Sequence, residues 1–371
     1  MSNGYSMGTQ YELYLSDESR KTGEAEEIFF PTTREELLDA VACDIPITIQ
    51  GARTGLDGRA VPHGGRIVNL SRLKGIIGEE VVPDGSLMLE VLPGTTMEEL
   101  KAYGNHFFPT MPSELSSTVG GCIATGARSI FAEHYGPISQ YVSCVDTLFL
   151  PQDKHVITTA KLKLLPKPQT LWAITFFFPQ DADARRFSHI AHSIKNVAVN
   201  EYMDAGALEA IISCPGKLSR LESLRTMLQH AGAMVYLEIH DDSEEAIFES
   251  AETLLEEAMV LGCPDEATWS FSGEREVWQM REIYHAAQEG INSQIDAIRL
   301  TEPALYGVGI ELEHLENYEA YQQQWEELSI PYACFGNVCS GRMRLSFIPK
   351  TQEQYEKAVA YIHSIPSTMK R

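Results

Sequence analysis

Two glycine-rich segments constrain this chain more than anything else in it. The first, Gly51-Ala52-Arg53-Thr54-Gly55-Leu56-Asp57-Gly58, follows the apolar run Ile45 to Ile49. Glycine at a strand end lets the backbone take left-handed dihedrals and approach a ligand closely. Consecutive amides in such a turn form an anion-binding nest, which suits phosphate. The same residues also suit a plain tight turn. The second segment starts at Pro112, runs through Ser116, Ser117, Thr118, Gly120 and Gly121, and ends in Ala124-Thr125-Gly126, with His134-Tyr135-Gly136 soon after. It reads either as a tightly packed turn or as a wall against a phosphate-bearing ligand.

The surroundings of these segments alternate between helix and strand. Residues 1–28 are polar and rich in Gly and Ser, which predicts a flexible lead-in. Pro31-Thr-Thr-Arg-Glu-Glu opens a helix, with a threonine cap and Glu three residues later. Arg66 to Leu70 and Leu87 to Val91 read as strands, and Thr95 as the cap of a helix carrying Met97 and Leu100. Tyr141 to Leu150 and His155 to Leu165 read as two more strands. Pro166-Lys-Pro168 is a domain exit. Beyond it, Leu171 to Phe178 and Ala233 to His240 read as strands. Ser243 to Leu261 reads as an acidic amphipathic helix, and further strands lie around Val308 and Met343. The helix Gln352 to His363 closes the chain. The expectation is an α+β chain: residues 29–168 as one domain, and 169–371 as a smaller α/β domain whose sheet carries helices on one face.

Five stretches stand in an order that resembles a known family: PTTREELLDAV, PITIQGARTGLDGRAVPHGGRIVNLSRLKGI, LEVLPGTTMEEL, FFPTMPSELSSTVGGCIATGA and HYG. They resemble the FAD-binding oxidoreductases of the vanillyl-alcohol-oxidase/PCMH type, and within it the D-lactate and glycolate dehydrogenases. The resemblance runs from about Pro31 to Pro168. It implies a two-domain PCMH-type fold with FAD as cofactor. By resemblance FAD is held by Gly51, Ala52, Arg53, Thr54, Gly55, Leu56, Pro112, Ser116, Ser117, Thr118, Gly120, Gly121, Ala124, Thr125, Gly126, Tyr135, Gly136 and Ile157. Relatives carry a long insert with a further glycine turn where this chain has only Leu150-Pro-Gln-Asp-Lys-His155.

The resemblance also implies a substrate side. Val277-Trp-Gln-Met-Arg-Glu282 resembles the family's W-x-x-R-E segment, whose arginine faces the substrate, and arginine is the natural fork for a carboxylate. Arg281 is therefore the first candidate, with His285 one helical turn on. The family's F-G-H-x-G-D-G-N-x-H segment stands here as Phe335-Gly-Asn337-Val-Cys-Ser-Gly-Arg-Met-Arg344. Neither Asn337 nor Arg344 takes a proton at neutral pH or binds a divalent metal well, so no metal is expected. Asn337, Arg342 and Arg344 instead suggest an anion pocket, with Arg344 its leading member.

Composition narrows the partners. A formal charge of −23 over 371 residues argues against nucleic acid or an anionic membrane surface. No apolar run is long enough to span a bilayer, and the first residues lack the apolar core of a secretory signal. Seven cysteines without a CxxC pair fit the cytoplasm. No GxGxxG opens a helix after a strand, so electrons are expected to leave to an acceptor other than NAD. Two readings stay open. One is an enzyme oxidising a small 2-hydroxy acid, D-lactate or glycolate in kind, and passing electrons to an acceptor or partner subunit. The other is a catalytically reduced FAD-binding subunit serving a larger flavoenzyme complex.

Overall fold

In the computed structural model the chain divides into two units, Met1–Lys167 and Pro168–Arg371, and the second, expected to be the smaller, is the larger. The structure describes residues 4–101, 103–150, 154–214, 225, 227, 228 and 230–370.

The first unit holds two sheets. In one, β1 (Gly4–Ser6), β2 (Glu27–Phe29), β4 (Arg66–Asn69) and β3 (Ile47–Gln50) lie in that spatial order, with β2, β4 and β3 parallel. Helix α1 (Arg34–Val41) packs on it through Leu37, Ala40 and Val41. Its start is a reciprocal cap. Thr33 Oγ1 accepts the Glu36 amide at 3.2 Å, and the Glu36 carboxylate accepts the Thr32 amide at 2.7 Å. The other sheet is antiparallel: β5 (Ile76–Val81), β6 (Leu87–Val91), β9 (Lys154–Pro166) and β7 (His106–Phe107), with β8 (Val142–Leu150) paired to β9. Leu89, Val91, Leu162 and Leu164 form its core with α2 (Met97–Lys101) and α3 (Val119–Thr125). A short helix, α4 (Ala132–Tyr135), follows. Leu150 pairs directly with Lys154, so β8 and β9 form a hairpin; its tip, residues 151–153, lies outside the described residues.

Two expectations need correcting here. The lead-in over residues 1–28 is built structure from Gly4 onward. It contains β1, a 3₁₀ turn (Thr9–Leu15) and the start of β2. Polar composition hid a set of aromatics: Tyr5, Tyr11 and Tyr14 all pack against Phe30, with Tyr14 edge-on at 5.1 Å. The cap of α2 is Thr96, not Thr95. The Glu99 amide donates to Thr96 Oγ1, whereas Thr95 is buried and ties to Gly75.

Among its described residues the second unit holds one antiparallel sheet of seven strands. In spatial order they are β13 (Thr268–Ser272), β10 (Thr170–Phe178), β12 (Ala233–Asp241), β11 (Val197–Asp204), β15 (Tyr332–Asn337), β16 (Arg342–Phe347) and β14 (Val308–Leu312). Successive side chains alternate faces. Phe176, Tyr202, Val235, Leu237, Leu345 and Phe347 point to one face. There they meet α5 (Asp181–His192), α7 (Glu244–Val260), α9 (Tyr318–Glu327) and α10 (Gln352–Ser364). Glu201, Tyr236 and Glu238 have the opposite parity and meet α8 (Glu274–Arg299), with α6 (Ala205–Ser213) against it. The sheet thus carries helices on both faces rather than on one. The reason is that α8 mixes Val277, Met280, Ile283 and Ile291 with Arg281 and Tyr284 on its buried side, so it covers a polar face of the sheet.

Gly290 sets the crossing of α8 over α6. A Cβ there would lie 1.8 Å from the Ala210 carbonyl oxygen. Gly290→Val should therefore cost about 1–3 kcal/mol or more through overpacking. Urea unfolding would show a lowered midpoint; an unchanged midpoint would mean the helices cross more loosely than this.

Candidate functional site

In the first unit the parallel strand β3 delivers Gln50 and the first glycine segment. Gln50 is buried, and its amide group donates to Tyr14 O and Ala60 O, both at 2.8 Å. Asn69 at the end of β4 donates to Gly51 O at 3.1 Å. These bonds fix both ends of the loop. Between them the amides of Ala52, Arg53, Thr54, Gly55 and Leu56 donate to no acceptor among the described residues. Arg53 has a positive φ of 65°, which turns successive amides toward one side as in an anion nest. Its side chain points elsewhere: Nη1 donates to Leu13 O, and the guanidinium lies 4.4 Å from the Tyr14 ring centre.

The second glycine segment is a helix start. Thr118 caps α3 by accepting the Gly121 amide at 3.3 Å, and Gly126, left-handed at φ 58°, ends it. Pro112, Ser116 and Ser117 precede the cap. Both hydroxyls are engaged with Glu114, Ser116 with its carboxylate and Ser117 with its carbonyl, each at 2.6 Å. Gly120 and Gly121 lie in the first turn, Ala124 and Thr125 in the last. The two segments meet at one point: a Cβ on Gly51 would fall 2.2 Å from Thr118 Oγ1. Tyr135 and Gly136 end α4, and Ile157 lies half-buried on β9. Thr110 Oγ1, just upstream, is buried with no hydrogen-bond partner among the described residues. A bent run of amides without acceptors, against a glycine-opened helix start, fits a dinucleotide's pyrophosphate.

The polar face of the second unit gathers the other predicted residues. Glu238 is 0% exposed. Arg281 Nε and Nη2 donate to its two oxygens at 2.6 and 2.5 Å, Tyr236 OH donates at 2.5 Å, and His240 Nε2 lies at 3.1 Å. Burial pushes this carboxyl up, but the Arg281 charge and hydrogen bonds hold it at about 2. Arg281 thus forks an internal carboxylate and lies 5.6 Å from the Trp278 ring centre. His285 stands edge-on to Tyr284 at 5.4 Å. Asn337 is a turn former: it donates to Asn200 O at 3.0 Å and accepts from the Ser340 amide at 2.9 Å. Arg342 donates to Ser340 Oγ at 3.3 Å. Arg344 donates through Nη1 to Glu311 at 3.1 Å.

Sequence reasoning missed Glu238, Tyr236 and Glu201. The alternation in Ala233 to His240 carried the signal, since Tyr236, Glu238 and His240 share a parity opposite to the apolar Val235, Leu237 and Ile239. Glu201 lies opposite Tyr236 in the β11–β12 register and is 6% exposed. Burial raises its pKa to about 8; the Tyr284 hydroxyl, donating at 2.5 Å, draws it back, and Glu311 adds like charge. Two carboxyls on neighbouring strands are thereby driven far apart in acidity, the pattern by which a proton-transfer group separates from a structural one.

Comparison with known proteins fits this geometry. Residues 25–158 match the family model described as an FAD binding domain. The matched residues lie within the first unit and include both glycine segments. The chain is 32% identical over 155 residues to a D-lactate dehydrogenase of Anaerostipes hadrus, covering 39% of this chain and 32% of that protein. It is 25% identical over 234 residues to a D-lactate dehydrogenase of Archaeoglobus fulgidus, covering 54% of this chain and 51% of that one. The matches thus span 32% and 51% of these relatives' own lengths. Among solved structures, alkyldihydroxyacetonephosphate synthase superposes with a TM-score of 0.69 at 13% identity, over 92% of this chain and 71% of that one. Over 92% of its length the chain therefore shares its fold with that synthase. Among the described residues no helix is long and apolar enough to cross a membrane.

The two carboxyls give opposite pH dependences. Glu201, raised in the fold, contributes stability that is full below its unfolded value of 4.5 and is lost as pH rises toward about 8. Glu238, depressed, contributes stability present above 4.5 and lost as pH falls toward about 2. Each acts with a slope of about 1.4 kcal/mol per pH unit. Glu201→Gln keeps an acceptor for Tyr284 and removes the first dependence. Urea unfolding at pH 5 and pH 8 should show the variant gaining on the wild type at pH 8. An equal pH slope in both proteins would place the Glu201 carboxyl in water.

Proposed function

We propose that the chain is an FAD-dependent oxidoreductase that oxidises a small 2-hydroxy acid, D-lactate or glycolate in kind, to the 2-oxo acid. Electrons then pass to an acceptor other than NAD. The observation that carries this reading is the run of amides from Ala52 to Leu56 beside the Thr118 cap, within a matched FAD-binding domain. The relatives named D-lactate dehydrogenase supply the substrate class.

In this reading the amides of Ala52 to Leu56 and the start of α3 take the pyrophosphate. Pro112, Gly126, Tyr135, Gly136 and Ile157 belong to the same cofactor set. When bound, FAD supplies the acceptor for the hydride leaving the substrate's C2. A small acid also brings a carboxylate, whose burial costs several kcal/mol unless it is paired. Arg281 gives its fork to Glu238 and so orients α8. That leaves Arg344 as the leading cation for the substrate. Glu201, bonded to Tyr284, is the carboxyl of this face that burial raises to about 8, and in its ionised form, populated as pH rises toward that value, it receives the hydroxyl proton. His285, edge-on to Tyr284, completes the set.

A second reading, the reduced FAD-binding subunit of a larger complex, is favoured by two observations. The β8–β9 hairpin is direct, where relatives carry an insert. Asn337, at a family histidine position, is spent on a turn.

Two measurements test the proposal. Anaerobic addition of D-lactate or glycolate to the purified yellow protein should bleach its flavin absorbance without added divalent metal. Gly51→Val should lower bound FAD, because its side chain displaces Thr118. If the protein holds FAD but no 2-hydroxy acid bleaches it, the subunit reading replaces the enzyme. A Gly51→Val protein with full flavin content would remove the loop from the cofactor set.

A further inference from the structure

The guanidinium of Arg344 differs from that of Arg281 in one respect. In Arg281 the Nε/Nη2 edge is filled by a carboxylate, Glu238, at 2.6 and 2.5 Å. In Arg344 only Nη1 is engaged, by Glu311, whose side chain is 42% exposed. Arg344 Nε is buried and donates to nothing among the described residues. Ser346, on the same face two residues along β16, is 3% exposed, and its hydroxyl also has no partner among the described residues.

These two groups face one space. Gly309 of β14 pairs with Ser346, and Glu311 pairs with Arg344. A Cβ placed on Gly309 would lie 2.8 Å from Arg344 Nη2 and 3.2 Å from Ser346 Oγ. Gly309 itself is exposed. A glycine in a strand commonly marks a place where something approaches the backbone closely. Here the missing side chain lets Arg344 Nη2 and the Ser346 hydroxyl lie close against the β14 backbone.

We propose that Arg344, Ser346 and Gly309 form a carboxylate-binding subsite. A carboxylate takes the Nε/Nη2 edge of Arg344 side-on and accepts from Ser346, with Gly309 giving the guanidinium its clearance against β14. The internal precedent is Arg281, whose same edge holds a carboxylate on the same face of the same sheet. The ligand class is a small planar carboxylate. Glu311 tunes the site by partly neutralising Arg344. The inference deepens the hydroxy-acid reading and assigns the acid's carboxylate to β14 and β16.

The test uses the full chain as purified and oxalate as probe, since oxalate has no C–H bond to oxidise. Calorimetry should show one oxalate per chain. Arg344→Lys keeps the charge but loses the fork, and should weaken binding about ten- to a hundredfold. Gly309→Ala should weaken it severalfold, because the new methyl group meets Nη2. Glu311→Gln should strengthen binding, an outcome that general damage to the fold cannot mimic. Circular dichroism on each variant checks that the sheet is intact. No oxalate binding by the wild type, equal affinity in Arg344→Lys, or weaker binding in Glu311→Gln would each overturn the subsite. If oxalate binds through Arg344 but no 2-hydroxy acid bleaches the flavin, the subsite stands and the oxidase reading falls. If acids bleach the flavin and Arg344→Lys leaves oxalate affinity unchanged, the reverse holds.

Discussion

A carboxylate taken wholly out of water must be paired, and the second unit is arranged around that requirement at Glu238. Three groups satisfy it: the Arg281 fork, the Tyr236 hydroxyl and His240. Breaking such a pair by removing one partner typically costs about 3–5 kcal/mol. The pair therefore fixes where α8 lies on the sheet, and with it Tyr284 against Glu201 one turn further on. Gly290 then lets α8 close onto α6. Position and chemistry have the same cause here, because the arginine that anchors the helix also decides which other groups on that face keep their hydrogen-bonding capacity.

The first unit rests on backbone rather than side chains. Gln50 and Asn69 hold the strand ends, and the turn between them presents amides instead of cations. A chain of net charge −23 opposes an anionic ligand overall, so the local dipoles of these amides have to supply the attraction. Arg53, which by position looks like a phosphate ligand, is committed to Leu13 and Tyr14. Its contribution to the turn is its left-handed backbone.

Local patterns were legible in the sequence, and long-range pairings were not. The cap at Thr33, the strands from Leu87, Leu171 and Ala233, and the two glycine segments all follow from neighbours a few residues apart. The meeting of Gly51 with Thr118 follows only from the fold. So does Arg281 with Glu238: nothing near Arg281 in the sequence indicates a buried carboxylate on β12, and the substrate role given to Arg281 came from the resemblance of its W-x-x-R-E segment. The lead-in was misread because polar composition outweighed three tyrosines whose partner, Phe30, lies beyond it. The helices on both faces were missed because a polar strand face reads as solvent-facing until a helix is found covering it.

The central claim is that this chain holds an FAD through the backbone of one short loop. Titration of the apoprotein with FAD, followed by quenching of flavin fluorescence and repeated in the presence of ADP, tests it most directly. The account predicts one FAD per chain and competition by ADP, because both ligands carry a pyrophosphate for the amides from Ala52 to Leu56. Absence of FAD binding, or FAD binding that ADP leaves untouched at saturating concentration, would contradict it.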